Sequence, residues 1–209
     1  TRYGTVTGVQ TCALPILEFE PVAESIDTLN RAGVRLNKIH LSSAIELRDP
    51  QGNRAGREAL ARYVEERYLH QTVARLASGE VLRRTDLSRD LALNPPVEFL
   101  TANCWRIHFH VPVNAETLGP LHTTRAELGA ALQAVSRLPY APHLEVETYT
   151  WEVLPEEGEG AGAQRSAEWL VAGLSRELTA TAQLVNRSAD ADRKSTRLNS
   201  SHSSVSRMP

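Results

Sequence analysis

Cysteine, methionine, long apolar runs and a basic excess are all scarce in this 209-residue chain. Two cysteines and one methionine occur, and 23 Lys and Arg residues stand against 25 Asp and Glu. No stretch reaches the roughly 20 consecutive apolar residues that a helix needs to span a bilayer, so no membrane insertion is expected in this segment. Without a basic surplus the electrostatic footprint of nucleic-acid binding is missing. No internal repeat is present, which sets aside repeat architectures. The single methionine is Met208, and the chain opens on Thr1 without an initiator.

The two ends are related at the level of DNA. Back-translating Asp192 as GAT gives the reverse complement ATC, the codon of Ile16, and the same operation carries Arg193 to Pro15 and Lys194 to Leu14. It continues through Thr196 and Cys12 out to Arg207 and Thr1, and it stops at Ala191 and Leu17, whose codons cannot be complementary. The run Asp192 to His202 resembles an in-frame translation of a common sequencing-library adapter, and Val6 to Ile16 resembles its opposite strand. Residues 1–16 and 192–209 are therefore expected to be adapter-derived, leaving 17–191 as native sequence and an internal fragment of a longer gene. Setting the flanks aside takes the balance from 23 basic and 25 acidic residues to 18 and 24, a net charge near −6. Cys104 is then the one native cysteine, so no internal disulfide is expected and a cytoplasmic setting follows.

Along the native part, Val22, Ala23, Ile26 and Leu29 recur at helical spacing before Gly33, and Val34 to Ser42 reads as a strand. A helix is expected over Glu58 to Glu66, and a hairpin is expected around Ser78-Gly79. A short helix capped by Thr85 should run to Leu93, where Pro95-Pro96 stops it. Residues 54–99 thus read as an excursion, a helix and hairpin inserted in a strand and helix pattern. That pattern resumes with the alternating strand Cys104 to Val113, which puts His108 and His110 on one face. Thr124 and Glu127 form a capping box for a helix through Leu138. His143 to Val153 reads as a strand with Glu145, Glu147, Tyr149 and Trp151 on one side. Beyond a linker over Glu156 to Gln164, a last helix carries Trp169, Leu170, Leu174, Leu178, Ala182 and Val185 at helical spacing. Strands alternating with helices predict parallel α/β structure, with a TIM barrel as the leading case.

His40, His108, His110 and Glu147 lie on or near predicted strands. Gathered at the C-terminal face of a barrel, imidazole and carboxylate donors suit a divalent metal, zinc, manganese or iron. The plainer reading makes the histidines hydrogen-bonded structural residues and the glutamates part of a solvated strand face. Cys104, beside Trp105 in an apolar strand, reads as a buried structural thiol.

Lys38-Ile-His-Leu-Ser-Ser43 resembles a strand of the xylose-isomerase-like TIM barrels, and Leu144-Glu-Val-Glu-Thr148 resembles the last barrel strand of that superfamily. Within it, Leu17 to Glu20, Tyr68 to Gln71, His108 to Pro112, Gly119 to Leu121 and Glu145 to Trp151 are most similar to the EboE metabolite traffic proteins. The resemblance implies the C-terminal part of a barrel and His40 and Glu147 as metal ligands. It also implies zinc or manganese as cofactor, a small-molecule metabolite as ligand, and a functional link to a prenyltransferase-like membrane protein. An Asp-x-x-His motif and a further glutamate ligand are expected upstream of Leu17. Three functions stay open for the parent: a metal-dependent sugar isomerase or epimerase, an endonuclease IV-like phosphodiester hydrolase, and a non-catalytic metabolite-binding or traffic module. The acidic balance counts against the hydrolase.

A partial barrel leaves strand edges open. The expressed chain is therefore expected to aggregate or fold loosely and to be inactive; a cooperative melt stabilised by zinc is the opposite result.

Overall fold

A computed structural model describes residues 16–155 and 166–202, with side chains described as far as Asp190. Residues 1–15 of the first expected adapter flank, residues 203–209 of the second and the expected linker over 156–164 lie outside the described residues, and the last helix runs into the second flank as far as His202.

Helix α1 (Val22–Arg31) buries Val22 and Ile26 and ends where the sequence places a stop. Gly33, at φ 74°, donates to the Asn30 carbonyl, and Val34 donates to that of Leu29. This double closure satisfies the helix's last carbonyls and requires the left-handed conformation that glycine supplies without strain. Strand β1 (Lys38–Leu41) follows, its Ile39 and Leu41 buried. Strand β2 (Ser43–Arg48) begins two residues later.

From β2 onward the chain makes an antiparallel sheet. Its strands are β2, β3 (Thr72–Arg75), β4 (Val81–Arg84), β5 (Cys104–Val111), β6 (Thr117–Leu118) and β7 (Leu121–Thr123), in the order β4-β3-β5-β2-β7-β6. The predicted hairpin is present as β3 and β4, turned at Gly79 with φ 89°. Three short helices cover one face: α2 (Arg54–Leu60), α3 (Arg89–Leu93) and α4 (Val97–Leu100). The first two start at different residues from those expected, and the third was not expected. Asn53 caps α2 by accepting from Gly56, and Ser88 caps α3 by accepting from Leu91. The covered face holds Ile45, Leu47, Leu60, Tyr63, Phe99, Trp105, Ile107, Phe109 and Val111 in one core.

Helix α5 (Arg125–Ser136), strand β8 (His143–Val146) and helix α6 (Ala167–His202) complete the chain. Strand β8 pairs with β1 in parallel, His40 standing opposite Glu145. A second core joins these strands to the helices through Val22, Ile26, Leu36, Ile39, Leu41, Leu128, Leu132 and Val135. The antiparallel sheet is thus inserted between β1 and α5, and its neck is tied shut. The Ala44 amide donates to the Thr124 hydroxyl at 2.9 Å, and the Thr124 amide returns to the Ala44 carbonyl at 3.0 Å.

The fold is mixed α/β, as predicted, but most of its strands run antiparallel. The β1–β8 pair is the one parallel pair among the described residues, and no barrel is closed there. The strand expected to resume a parallel series at Cys104 is instead the centre of the antiparallel sheet, between β3 and β2. Its alternation fits either environment, and only its partners decide between them. The inserted sheet spans Ser43–Thr123, wider than the 54–99 excursion. Thr124 and Glu127 stand at the start of α5 without forming a capping box: the hydroxyl serves Ala44, and the carboxylate serves Arg106. No helix among the described residues is long and apolar enough to cross a membrane.

The sheet's own edges are guarded, β6 by its two-residue length and β4 by the exposed Arg83 and Arg84. Among the described residues no strand lies beside the outer edges of β1 and β8. Helix α6 meets the turn after β8, where Gly173 faces Trp151. A Cβ at position 173 would stand 2.5 Å from the indole ring. Replacing a helix-interior glycine by alanine ordinarily gains close to about 1 kcal/mol. Here Gly173→Ala is expected to lose about 1–3 kcal/mol through overpacking, read as a lower denaturant midpoint.

Candidate functional site

The four residues singled out in the sequence come together, although they arise from two different sheets. Ladder β1–β8 continues one step past β8, where the Glu147 amide donates to the Leu41 carbonyl at 3.0 Å. This carries Glu147 beyond Glu145 on the same face and brings its Oε2 to 2.6 Å from His40 Nδ1. An Nδ1–H donated to the carboxylate leaves His40 Nε2 with its lone pair. The imidazole is 16% exposed and the carboxylate 37%, so the pair is reachable from solvent.

His108 and His110 reach the same place from β5. His110 Nδ1 lies 2.7 Å from the Glu147 carbonyl, which only accepts, so that nitrogen carries the proton. The remaining lone pair, on Nε2, faces His108 Nε2 at 3.0 Å. Either His108 donates an N–H across this gap, or both nitrogens turn lone pairs toward one cation. Burial pushes the His108 pKa down to about 4, assisted by His110 and His70 and opposed by Glu147. Burial lowers that of His110 as well, against the hydrogen bond to Glu147. Both rings are neutral at pH 7, the form that binds metals.

Four further side chains belong to this neighbourhood and were not selected from the sequence. The Tyr149 ring packs 4.6 Å from His110 and 4.8 Å from Tyr68. Burial and then the Glu147 carboxylate hold its phenol above the usual range. Behind His108 lies His70, fully buried, its Nδ1 3.1 Å from the His108 carbonyl and its Nε2 2.6 Å from Glu65 Oε1. Both nitrogens of His70 face oxygen acceptors, which fixes the orientation of the ring. The signal for Tyr68 and His70 was present in the Tyr68 to Gln71 motif. Tyr149 was expected further along a strand that in fact ends at Val146 and turns.

The donors are of the types a divalent metal takes, yet they stand as two pairs, His40–Glu147 and His108–His110. Among the described residues no three His, Cys, Asp or Glu side chains form a group that could hold a metal ion. Cys104 takes no part: it is buried, and burial pushes its thiol up, the condition of a structural cysteine.

The depressed imidazoles set a pH dependence. An unfolded histidine takes up a proton below about pH 6.5, whereas His108 in the folded chain resists until about pH 4. Stability present above pH 6.5 is therefore lost as pH falls through that window. With chelator present, the loss due to His108 is expected to reach about 3 kcal/mol at the acid end. His108→Gln should flatten the profile of denaturant midpoint against pH; an unchanged slope would contradict the assignment.

Comparisons with protein-family models, with curated proteins and with solved structures found no match to this chain.

Proposed function

We infer that the chain is part of a xylose-isomerase-like TIM-barrel protein of the EboE metabolite traffic type, whose parent acts as a metal-dependent sugar isomerase or epimerase. On this reading β1 and β8 are neighbouring barrel strands, α5 and α6 are the helices that follow them, and Ser43–Thr123 is an insertion at the C-terminal end of β1. The observation that carries it is the meeting of His40, next to the last residue of β1, and Glu147, one residue past β8, at 2.6 Å at the C-terminal ends of two adjacent parallel strands. Barrel enzymes build their active sites at that end of the strands and vary the loops there.

His40, oriented by Glu147 and with Nε2 free, is suited to move a proton at a carbon beside a carbonyl. His108 and His110 would hold zinc or manganese through their facing Nε2 atoms, and the metal when bound would polarise the carbonyl. Tyr149, partly exposed with a raised pKa, keeps its proton at neutral pH and can donate it to a substrate oxygen. A cytoplasmic setting and a link to a prenyltransferase-like membrane protein belong to the same proposal.

A second reading makes the parent a metabolite-binding or traffic module with the chemistry lost. It draws on the two-by-two arrangement of the donors, which leaves no group of three for a metal. The hydrolase reading has no comparable support, because the acidic balance opposes binding to phosphates.

The test uses the uninterrupted parent chain. His40→Ala is expected to lower turnover on sugar or polyol substrates by about 100- to 10,000-fold, the usual worth of a positioned acid–base group. His108→Ala with His110→Ala should remove the bound metal measured by elemental analysis. Metabolite export that survives all three substitutions would retire the isomerase in favour of the binding module.

A further inference from the structure

Glu177 has no exposed surface, although it sits in the middle of a long helix. Its carboxylate accepts three hydrogen bonds. Oε1 takes the Val113 backbone N–H at 2.8 Å and the Thr148 hydroxyl at 2.6 Å, and Oε2 takes the Trp151 indole N–H at 2.9 Å. None of these donors is on α6. Val113 lies three residues past His110, Thr148 directly follows Glu147, and Trp151 directly follows Thr150, whose hydroxyl donates to the His110 carbonyl. Every donor that Glu177 holds is thus attached to a strand end bearing the candidate site.

We propose that Glu177 is the positioning residue of this site, setting the tautomer of His110 by fixing the peptide between Glu147 and Thr148. The Glu147 carbonyl belongs to that peptide and is the acceptor for His110 Nδ1–H. On one side the Glu147 amide is pinned to Leu41. On the other side strand pairing has ended, and the Thr148 side chain in the grip of Glu177 stops the peptide from turning. A turned peptide would take the carbonyl away from His110, and the ring would lose the bond that reserves its Nε2 lone pair for the His108 side. The bond to Val113 holds the end of β5 in step with the end of β8. Gly173, one helical turn before Glu177, gives the indole room to reach the carboxylate. The role rests on the reading of the site given above, but its test does not use turnover.

The experiment records long-range proton–nitrogen correlations of the histidine rings in the 15N-labelled uninterrupted parent chain near pH 7.5. In the starting protein His110 is expected as a single Nδ1–H tautomer. Thr148→Val removes one donor and leaves those of Val113 and Trp151. It should stay folded by its amide spectrum while the two His110 nitrogen signals move toward each other, the mark of a tautomer mixture. Glu177→Gln should give a larger shift, because its amide N–H₂ meets a donor. Adding Trp151→Phe, which removes that donor, should return part of it. A folded Thr148→Val variant with His110 signals at their starting positions overturns the proposal, and so does a starting protein whose His110 is already mixed. If Glu177→Gln fails to fold, Thr148→Val still decides. Zinc titrated into the starting sample separates the two readings. Rings of His108 and His110 that ignore zinc, with tautomers that still respond to the variants, leave the positioning role standing and remove the metal.

Discussion

Strand β5 is buried on both faces, and that constraint organises the molecule. One face, Trp105, Ile107, Phe109 and Val111, packs on apolar neighbours in the inserted core, and its one polar group, the Trp105 indole N–H, donates to the Phe99 carbonyl. The other carries Arg106, His108 and His110, three polar groups that cannot be left unpaired away from water. Arg106, 5% exposed, donates to Glu46 on β2, to Glu127 on α5 and to the Ile16 carbonyl, and its guanidinium lies 4.3 Å from the Phe19 ring centre. Satisfying one buried cation in this way draws the helix layer and the segment before α1 onto the sheet. The histidines two and four residues further on are then committed to the same side. There they meet each other and the Glu147 carbonyl, so the site grows from the same demand that pairs Arg106.

Local elements were legible in the sequence to the extent that they depend on neighbours in the chain. Gly33 ending α1, Gly79 turning the hairpin and the period-two face of His108 and His110 all follow from backbone rules that need no tertiary partner. Pairing partners were not legible. Whether Cys104–Val111 lies in a parallel or an antiparallel sheet depends on β2 and β3 coming to its two sides, and the alternation of β5 is the same in either case. The capping box at Thr124 and Glu127 has the right spacing and the right residues, and it loses to tertiary hydrogen bonds from Ala44 and Arg106. Both outcomes reflect long-range partners overriding a local preference.

In helix α6 only part of the helically spaced apolar set faces inward: Trp169 packs on Trp151, and Val185 packs against the second core. Leu174 and Leu178 belong to the same helically spaced set, yet with Val171 they are exposed, while Gly173, Glu177, Thr181 and Ser188 face the protein. Hydrophobic periodicity assumes that the surface receiving a helix is apolar. The surface here is the turn over Thr148 to Trp151 together with the amide of Val113, which offers hydrogen-bond donors. A carboxylate that accepts three of them replaces the hydration it loses, and Thr181 and Ser188 return their hydroxyls to carbonyls one turn back on the helix.

Polar burial of this kind adds less stability than a well-packed apolar face would, since desolvating a carboxylate offsets much of what its hydrogen bonds return. What it adds is direction. An apolar contact tolerates sliding, whereas three donors arriving at two oxygens hold the Thr148 turn in one orientation. The residues that depend on that orientation, Glu147 and through it His40 and His110, are those of the candidate site. A helix that leaves Val171, Leu174 and Leu178 in water while spending its inner face on Glu177 is poorly explained as a device for stability. It agrees with the role proposed for Glu177 in holding the candidate site, the kind of place where a fold departs from its own local rules.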